Sequence, residues 1–253
     1  MTQIISVHSF RRGTGKSTLT ANLAALLALG GWRVGVLDTN LQSPSQHILF
    51  GLPEHTIEFT LNDYVWGRAD IRPAAYDVTS SLGVTPAMRG QVWLVPASTQ
   101  VQEIGRALRE DFDARRLDAG FHQLASELGL DVLLADTHAG VSDATLTIIA
   151  FSNTLVLNLR PDYQDYQGTG LIVELARKLG VPRTLLILNE VLPAFDFAEL
   201  KAQAEKSYRC PVAAVLPHTE EWLALGSAGL LALRFPNHPL THELKRVAAE
   251  LMA

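Results

Sequence analysis

One short stretch narrows the folds open to this chain more than any other. An apolar, β-branched run at residues 4–8 leads into Phe10-Arg11-Arg12-Gly13-Thr14-Gly15-Lys16-Ser17-Thr18, and a helical pattern of apolar residues starts at Lys16. A strand, a glycine-containing turn ending Gly-Lys-Ser, and a helix together make a phosphate-binding loop. Its backbone N–H groups and the positive end of the helix face a polyphosphate, the lysine reaches the β- and γ-phosphates, and the hydroxyl of Ser17 is placed for Mg²⁺. Where the usual pattern has its first glycine, this chain has Phe10, and two arginines follow.

The rest of the chain repeats the same alternation. Apolar runs at 4–8, 33–37, 92–95, 132–135, 154–159, 184–188 and 212–216 read as strands, and 16–29, 101–109, 117–128, 142–151, 168–179, 197–207 and 241–252 read as helices. Strands apolar on both faces and separated by amphipathic helices imply a mostly parallel α/β sheet covered on both sides, with ligands at the carboxyl ends of the strands. Residues 52–89 fit this pattern poorly and read as an excursion with short helices. With 253 residues, 47% of them hydrophobic, the chain is long enough for one large core, and a single domain over 1–253 is expected. Cys210 is the only cysteine, which excludes an internal disulfide and a multi-cysteine metal site and points to the cytoplasm. The formal net charge of −5 provides no global field for nucleic acid. No basic leader followed by an apolar stretch opens the sequence, and no apolar run nears the roughly 20 residues of a membrane span.

The loop resembles the deviant phosphate loop of the ParA/MinD family of ATPases, written KGGxGK[ST]. In that family the first lysine crosses a dimer interface to the partner's nucleotide; Arg11 stands at its place, and Arg12 replaces the next glycine. The resemblance implies that residues 11 to 18 (Arg11, Arg12, Gly13, Thr14, Gly15, Lys16, Ser17, Thr18) cradle ATP. Strand 33–37 ends in Asp38-Thr39-Asn40, similar to the family's Asp-x-Asp switch: Asp38 is expected to hold Mg²⁺ through water, and Asn40 stands where a second aspartate orients the attacking water. An amide cannot accept a proton or carry negative charge, so slow hydrolysis is expected, with Lys16, Arg11 and Asn40 as the catalytic set. Strand 132–135 and Asp136-Thr137-His138-Ala139-Gly140 resemble the family's second switch, with Asp136 near Mg²⁺ together with Ser17 and Asp38. For His138, a structural hydrogen bond is favoured over a general base. Asn189, after strand 184–188, lacks the Asn-Lys-x-Asp context that grips guanine, and the family's matching asparagine contacts adenine, as does the backbone around the residue equivalent to Pro217. ATP is therefore expected over GTP. The loop at 159–170 belongs to the same ligand-facing edge, where its tyrosines are balanced between a partner-facing role and an ordinary surface.

Rival functions of related folds can be weighed on residues. Iron–sulfur relatives of the nitrogenase iron protein need paired cysteines that are missing here, and tyrosine kinases of this fold end in a tyrosine cluster, whereas no tyrosine follows Tyr208. ATP-dependent carboxylate-activating synthases remain the runner-up among enzymes. The resemblance implies a slow ATPase that forms a homodimer around ATP and positions a cargo through a protein adaptor or scaffold; an ATP-locked binding module with little turnover is the alternative. Two arginines per subunit near a two-fold axis repel unless triphosphates lie between them, which ties dimerisation to ATP. The C-terminal stripe Leu240, Leu244, Val247 and Leu251 is narrow and lacks aromatics, so packing on the domain is expected and membrane binding is not. Arg106, Arg109, Arg115 and Arg116 are interleaved with Glu110, Asp111, Asp113 and Asp118, and Arg177, Lys178 and Arg183 lie elsewhere. At most weak, salt-sensitive DNA binding is expected from such patches.

Overall fold

A computed structural model describes residues 2–83, 89–110, 113 and 115–253. The elements run β1 (Gln3–His8), α1 (Lys16–Leu29), β2 (Arg33–Asp38), α2 (Gln46–Leu49), α3 (Leu61–Val65), β3 (Tyr76–Asp77), β4 (Gln91–Val95), α4 (Val101–Ala107), α5 (Arg115–Leu128), β5 (Val132–Asp136) and α6 (Asp143–Ala150). They continue with β6 (Thr154–Leu159), α7 (Tyr163–Lys178), β7 (Arg183–Val191), α8 (Phe197–Tyr208), β8 (Val212–Pro217), α9 (Glu220–Leu225), α10 (Leu231–Arg234) and α11 (Pro239–Leu251). Among the described residues the strands form one eight-stranded sheet in the order β3-β4-β2-β5-β1-β6-β7-β8, with only the short β3 antiparallel to its neighbour.

Alternation within each strand feeds two faces. Val34 and Val36 of β2 and Val132 and Leu134 of β5 join a core with α1, α10 and α11. Leu37, Leu133 and Ala135 join the opposite core with α3, α5 and α6, and α7 and α8 cover the β6–β8 end of that side. The helix α11 buries Leu240, Leu244, Val247 and Leu251, each worth ~1.5–3 kcal/mol relative to exposure, so the C-terminal stripe packs on the domain as expected.

Parallel register brings the strand ends level: Asp38 at the end of β2 pairs with Asp136 at the end of β5, which in turn faces Val7 of β1. The loops after β1, β2, β5, β6, β7 and β8 therefore meet along one edge, and that edge holds the candidate site. The expected helix at 168–179 begins earlier, at Tyr163, because Asp162 caps it by accepting N–H bonds from Gln164 and Asp165. The excursion after residue 52 contains α3, whose Thr60–Asp63 capping box starts it, followed by the edge strand β3. No helix among the described residues is long and apolar enough to cross a membrane.

Candidate functional site

The loop between β1 and α1 has four positions where the family pattern carries glycine, and this chain keeps two of them. Gly13 and Gly15 have φ of 75° and 84°, a region costly for residues with a Cβ. Phe10 and Arg12 have no such conformation, so their glycines were dispensable on backbone grounds. Space is the remaining demand, and for Phe10 it comes from α7: a Cβ on Gly168 would lie 1.9 Å from the Phe10 ring. The ring thus lies directly against the bare backbone of α7 and joins the core on that side.

The helix α1 starts at Gly15 with no side-chain cap and no acidic residue in its first turn. Its first N–H groups are left for an anion. Arg11, Arg12, Gly13, Thr14, Gly15, Lys16, Ser17 and Thr18 line one cavity of about 260 Å³, and Asn40 and His138 close its far side. Lys16 is buried, with Nζ 3.3 Å from Oδ1 of the fully buried Asp136. The other oxygen of Asp136 accepts an N–H from Gln46 (2.7 Å), which also donates to the Ser17 carbonyl. Asp38 is likewise fully buried and accepts backbone N–H bonds from Asn40, Ser45 and Gln46, closing the loop after β2. Burial, then the neighbouring charge of Asp136, push its carboxyl up to about 7. Two buried carboxylates at adjacent strand ends beside a hydroxyl are suited to a divalent cation. Among the described residues no group of three or more His, Cys, Asp or Glu could hold a metal; Mg²⁺ at Ser17, Asp38 and Asp136 would share its coordination with phosphate oxygens and water.

The two arginines are occupied within the chain. Arg11 donates from Nη1 to both oxygens of Asp162, at 3.0 Å each, and its Nε lies 3.7 Å from Asp165. Arg160 approaches the same two carboxylates and Glu190. The expectation of four bare guanidinium groups at a two-fold axis therefore changes: each Arg11 carries its own countercharge. Arg12 donates from Nη2 to Nε2 of His138 (2.8 Å) and reaches Gln42 (3.4 Å). Since arginine has only donors, His138 accepts through Nε2 and is neutral there; burial, then Arg12, hold its pKa below the ordinary value. His138 thus makes the structural hydrogen bond expected of it, and Arg12 bridges the loops that follow β2 and β5.

A second cavity of about 290 Å³ adjoins the first at Gly15 and Thr18 and is lined by Asn189, Pro217 and Trp222 among others. Asn189 and Asn158 both donate from Nδ2 to the Thr14 carbonyl (2.9 and 2.7 Å). This fixes the amide of Asn189, whose buried Oδ1 is left with no hydrogen-bond partner. The Asn40 side chain donates to the Ser43 carbonyl at 2.8 Å, and its buried Oδ1 is similarly free.

All thirteen residues expected at the site thus gather at this edge, with Asp38 and Asp136 beneath the loop. Gln46, Trp222 and the two partners of Arg11, Asp162 and Asp165, lie outside the loop and strand-end motifs. For the last pair a signal was present, because Asp162-x-x-Asp165 after Pro161 has the spacing of an N-cap and its third helical residue. Three of the six candidate DNA-facing arginines have carboxylate partners: Arg106 pairs with Glu110, Arg115 with Asp113 and Arg183 with Glu250. Arg106 and Arg116 also stack on Trp66 and Tyr64. Asp111 lies outside the described residues.

A model of the CobQ/CobB/MinD/ParA nucleotide binding domain matches residues 5–231. An uncharacterized ATP-binding protein of Methanocaldococcus jannaschii is 28% identical over 252 residues, which is 98% of this chain and 87% of that protein. The antiactivator FleN of Pseudomonas aeruginosa is 29% identical over 157 residues, 61% of this chain and about half (49%) of FleN. Among solved structures, the septum site-determining protein MinD of Pyrococcus horikoshii, complexed with Mg-ADP, has a TM-score of 0.80 at 23% identity, covering 99% of this chain and 96% of that one. A ParA family ATPase from Chlorobium tepidum has a TM-score of 0.78 at 18% identity over 98% and 99% of the two chains. The structural matches speak for the fold. The match over residues 5–231, on a loop and sheet edge built as described, carries the conclusion that this chain belongs to the CobQ/CobB/MinD/ParA family of nucleotide-binding domains.

Proposed function

We propose that the chain is a Mg·ATP-dependent switch of the ParA/MinD type, which dimerises on ATP and positions a cargo through a protein adaptor. The observation that carries this reading is the buried Lys16–Asp136 pair at 3.3 Å beneath an uncapped helix start. That arrangement holds a lysine amine inside the protein against a carboxylate that phosphate oxygens can replace. Bound Mg²⁺ would supply charge neutralisation of the triphosphate; the chain's own residues do the rest. Gly13 and Gly15 shape the loop, Ser17 presents a hydroxyl, and Gln46 ties Asp136 to the first switch. Adenine is favoured because the fixed Asn189 leaves a carbonyl acceptor, which suits the exocyclic amine of adenine and opposes the O6 carbonyl of guanine. The MinC:MinD complex of Aquifex aeolicus, a fold match at 18% identity, supports an adaptor as the kind of partner. Asn40 supports low turnover, and with it the second reading of an ATP-locked binding module, since it offers an amide where a carboxylate would orient water.

Calorimetric titration tests the binding core. Mg·ATP is expected to bind the wild type more tightly than Mg·GTP, and Lys16→Ala to weaken Mg·ATP by roughly 100-fold or more, since truncating one partner of a buried charge pair is costly. Unchanged ATP affinity in that variant would show that the loop is not the site.

A further inference from the structure

Resting on the nucleotide reading above, we infer that Trp222 is the aromatic wall on which the nucleobase is held, and that this residue contributes specificity for a nucleotide over a bare polyphosphate. The motif residues account for the phosphate end and for one polar edge of the base, but not for the face of a ring. A heteroaromatic ring transferred from water gains most where a second flat, apolar surface covers it.

Trp222 lies where that surface is needed. It lines the 290 Å³ cavity that begins at Gly15 and Thr18 and contains Asn189 and Pro217. The cavity is at the small end for ligand pockets, the size of one nucleoside continuing from the phosphate loop. The residue belongs to α9, a six-residue helix none of whose side chains is buried. Thr219 caps that helix by accepting the Trp222 N–H, and Gly226 ends it with φ 55° and ψ −122°, a conformation suited to glycine. Trp222 is nevertheless anchored, because it packs against the core that contains α1 and α11. Leu225 of the same helix packs on that core as well, whereas Trp222 both packs there and, half-buried, lines the cavity, so part of its surface is left beyond its structural task. Asn189 and Trp222 then divide the work: the amide selects the edge of the base, and the indole grips its face.

Calorimetry and intrinsic tryptophan fluorescence test the assignment with two probes, Mg·ATP and inorganic tripolyphosphate with Mg²⁺. Trp222→Ala is expected to weaken Mg·ATP about tenfold, the usual scale of base–aromatic stacking, and to leave tripolyphosphate affinity within about twofold. Trp222→Phe, which keeps a stacking ring, is expected to retain ATP affinity within about threefold while losing most of the ATP-induced quenching. Equal weakening of both probes in Trp222→Ala would assign the residue a purely structural role and overturn the proposal, as would unchanged ATP affinity in that variant or undiminished quenching in Trp222→Phe. Failure of the wild type to bind either probe would overturn the nucleotide reading itself and this inference with it, a result distinct from the others.

Discussion

Asn40 and His8 show how single side chains set opposite kinds of behaviour at the same edge. The Asn40 amide donates to the Ser43 carbonyl, a bond that a carboxylate cannot make, so Asn40→Asp releases the side chain from that carbonyl and leaves a carboxylate at the rim of the phosphate cavity. Turnover of ATP is expected to rise by about a hundredfold, the lower end for a well-placed general base, measured as steady-state phosphate release; no increase would show that another residue limits the rate. His8 lies fully buried at the end of β1, with Nδ1 2.7 Å from the Thr137 hydroxyl. Burial first, then Lys16, lower its pKa to about 3. A histidine depressed on folding contributes stability that is fully present above its unfolded pKa of ~6.5 and is lost as pH falls toward the folded value. Wild type is therefore expected to lose about 2–3 kcal/mol from this residue between pH 7 and pH 4.5. Asp38, raised to about 7, acts in the opposite direction over much of the same range. Urea denaturation of wild type and His8→Asn at both pH values isolates the histidine: the stability difference between them should shift in favour of the variant at the lower pH. A pH-independent difference would mean that His8 is protonated in the folded state.

At the scale of elements, α7 is the part of the fold that makes the altered loop possible. Phe10 contacts it at Gly168 and Arg11 at its capping residue Asp162. Gly168→Ala would drive a methyl group into the Phe10 ring, and overpacking of this kind costs ~1–3 kcal/mol. Phe10→Gly in the same chain is expected to recover most of that loss, read as a coupling in denaturant unfolding; simple additivity of the two changes would show that the ring and the helix do not share the site. This contact also marks how far the fold and site were legible in advance. Every strand but the two-residue β3, which lies in the stretch read as an excursion, and the helices α1, α5, α8 and α11 could be read because their apolar spacing is regular. The loop residues could be read because phosphate chemistry demands their types. The first turn of α7 escaped periodicity: Tyr163-Gln164-Asp165-Tyr166-Gln167 is polar, and a glycine follows, so only the Asp162 cap reports the helix. The short α9 and α10 have no full turn of buried residues to produce a pattern. Gln46 and Trp222 entered the site through tertiary placement, which no local motif encodes.

For the whole molecule, the state described is one in which the charged residues of the site are satisfied within a single chain. Lys16 is held by Asp136, Arg11 by Asp162 and Asp165, and Arg12 by His138 and Gln42. On the proposed reading, an arginine held in this way must leave its partners before it can reach a nucleotide on another subunit, and association would then depend on what phosphate oxygens offer in exchange. Asp162→Asn keeps the helix cap, since asparagine caps about as well as aspartate, but removes the charge that holds Arg11. That variant is expected to dimerise with nucleotide at a severalfold lower protein concentration than wild type in sedimentation experiments; an unchanged or higher concentration requirement would argue that the ion pair does not compete with association. The most direct measurement is multi-angle light scattering of the wild-type protein with Mg²⁺ and a non-hydrolysable ATP analogue, alongside ADP and nucleotide-free samples. The expected result is a mass near twice the 27.6 kDa of the chain with the analogue alone, and the single-chain mass in the other two samples. A single-chain mass with saturating analogue, or an equally stable dimer without nucleotide, would contradict the switch.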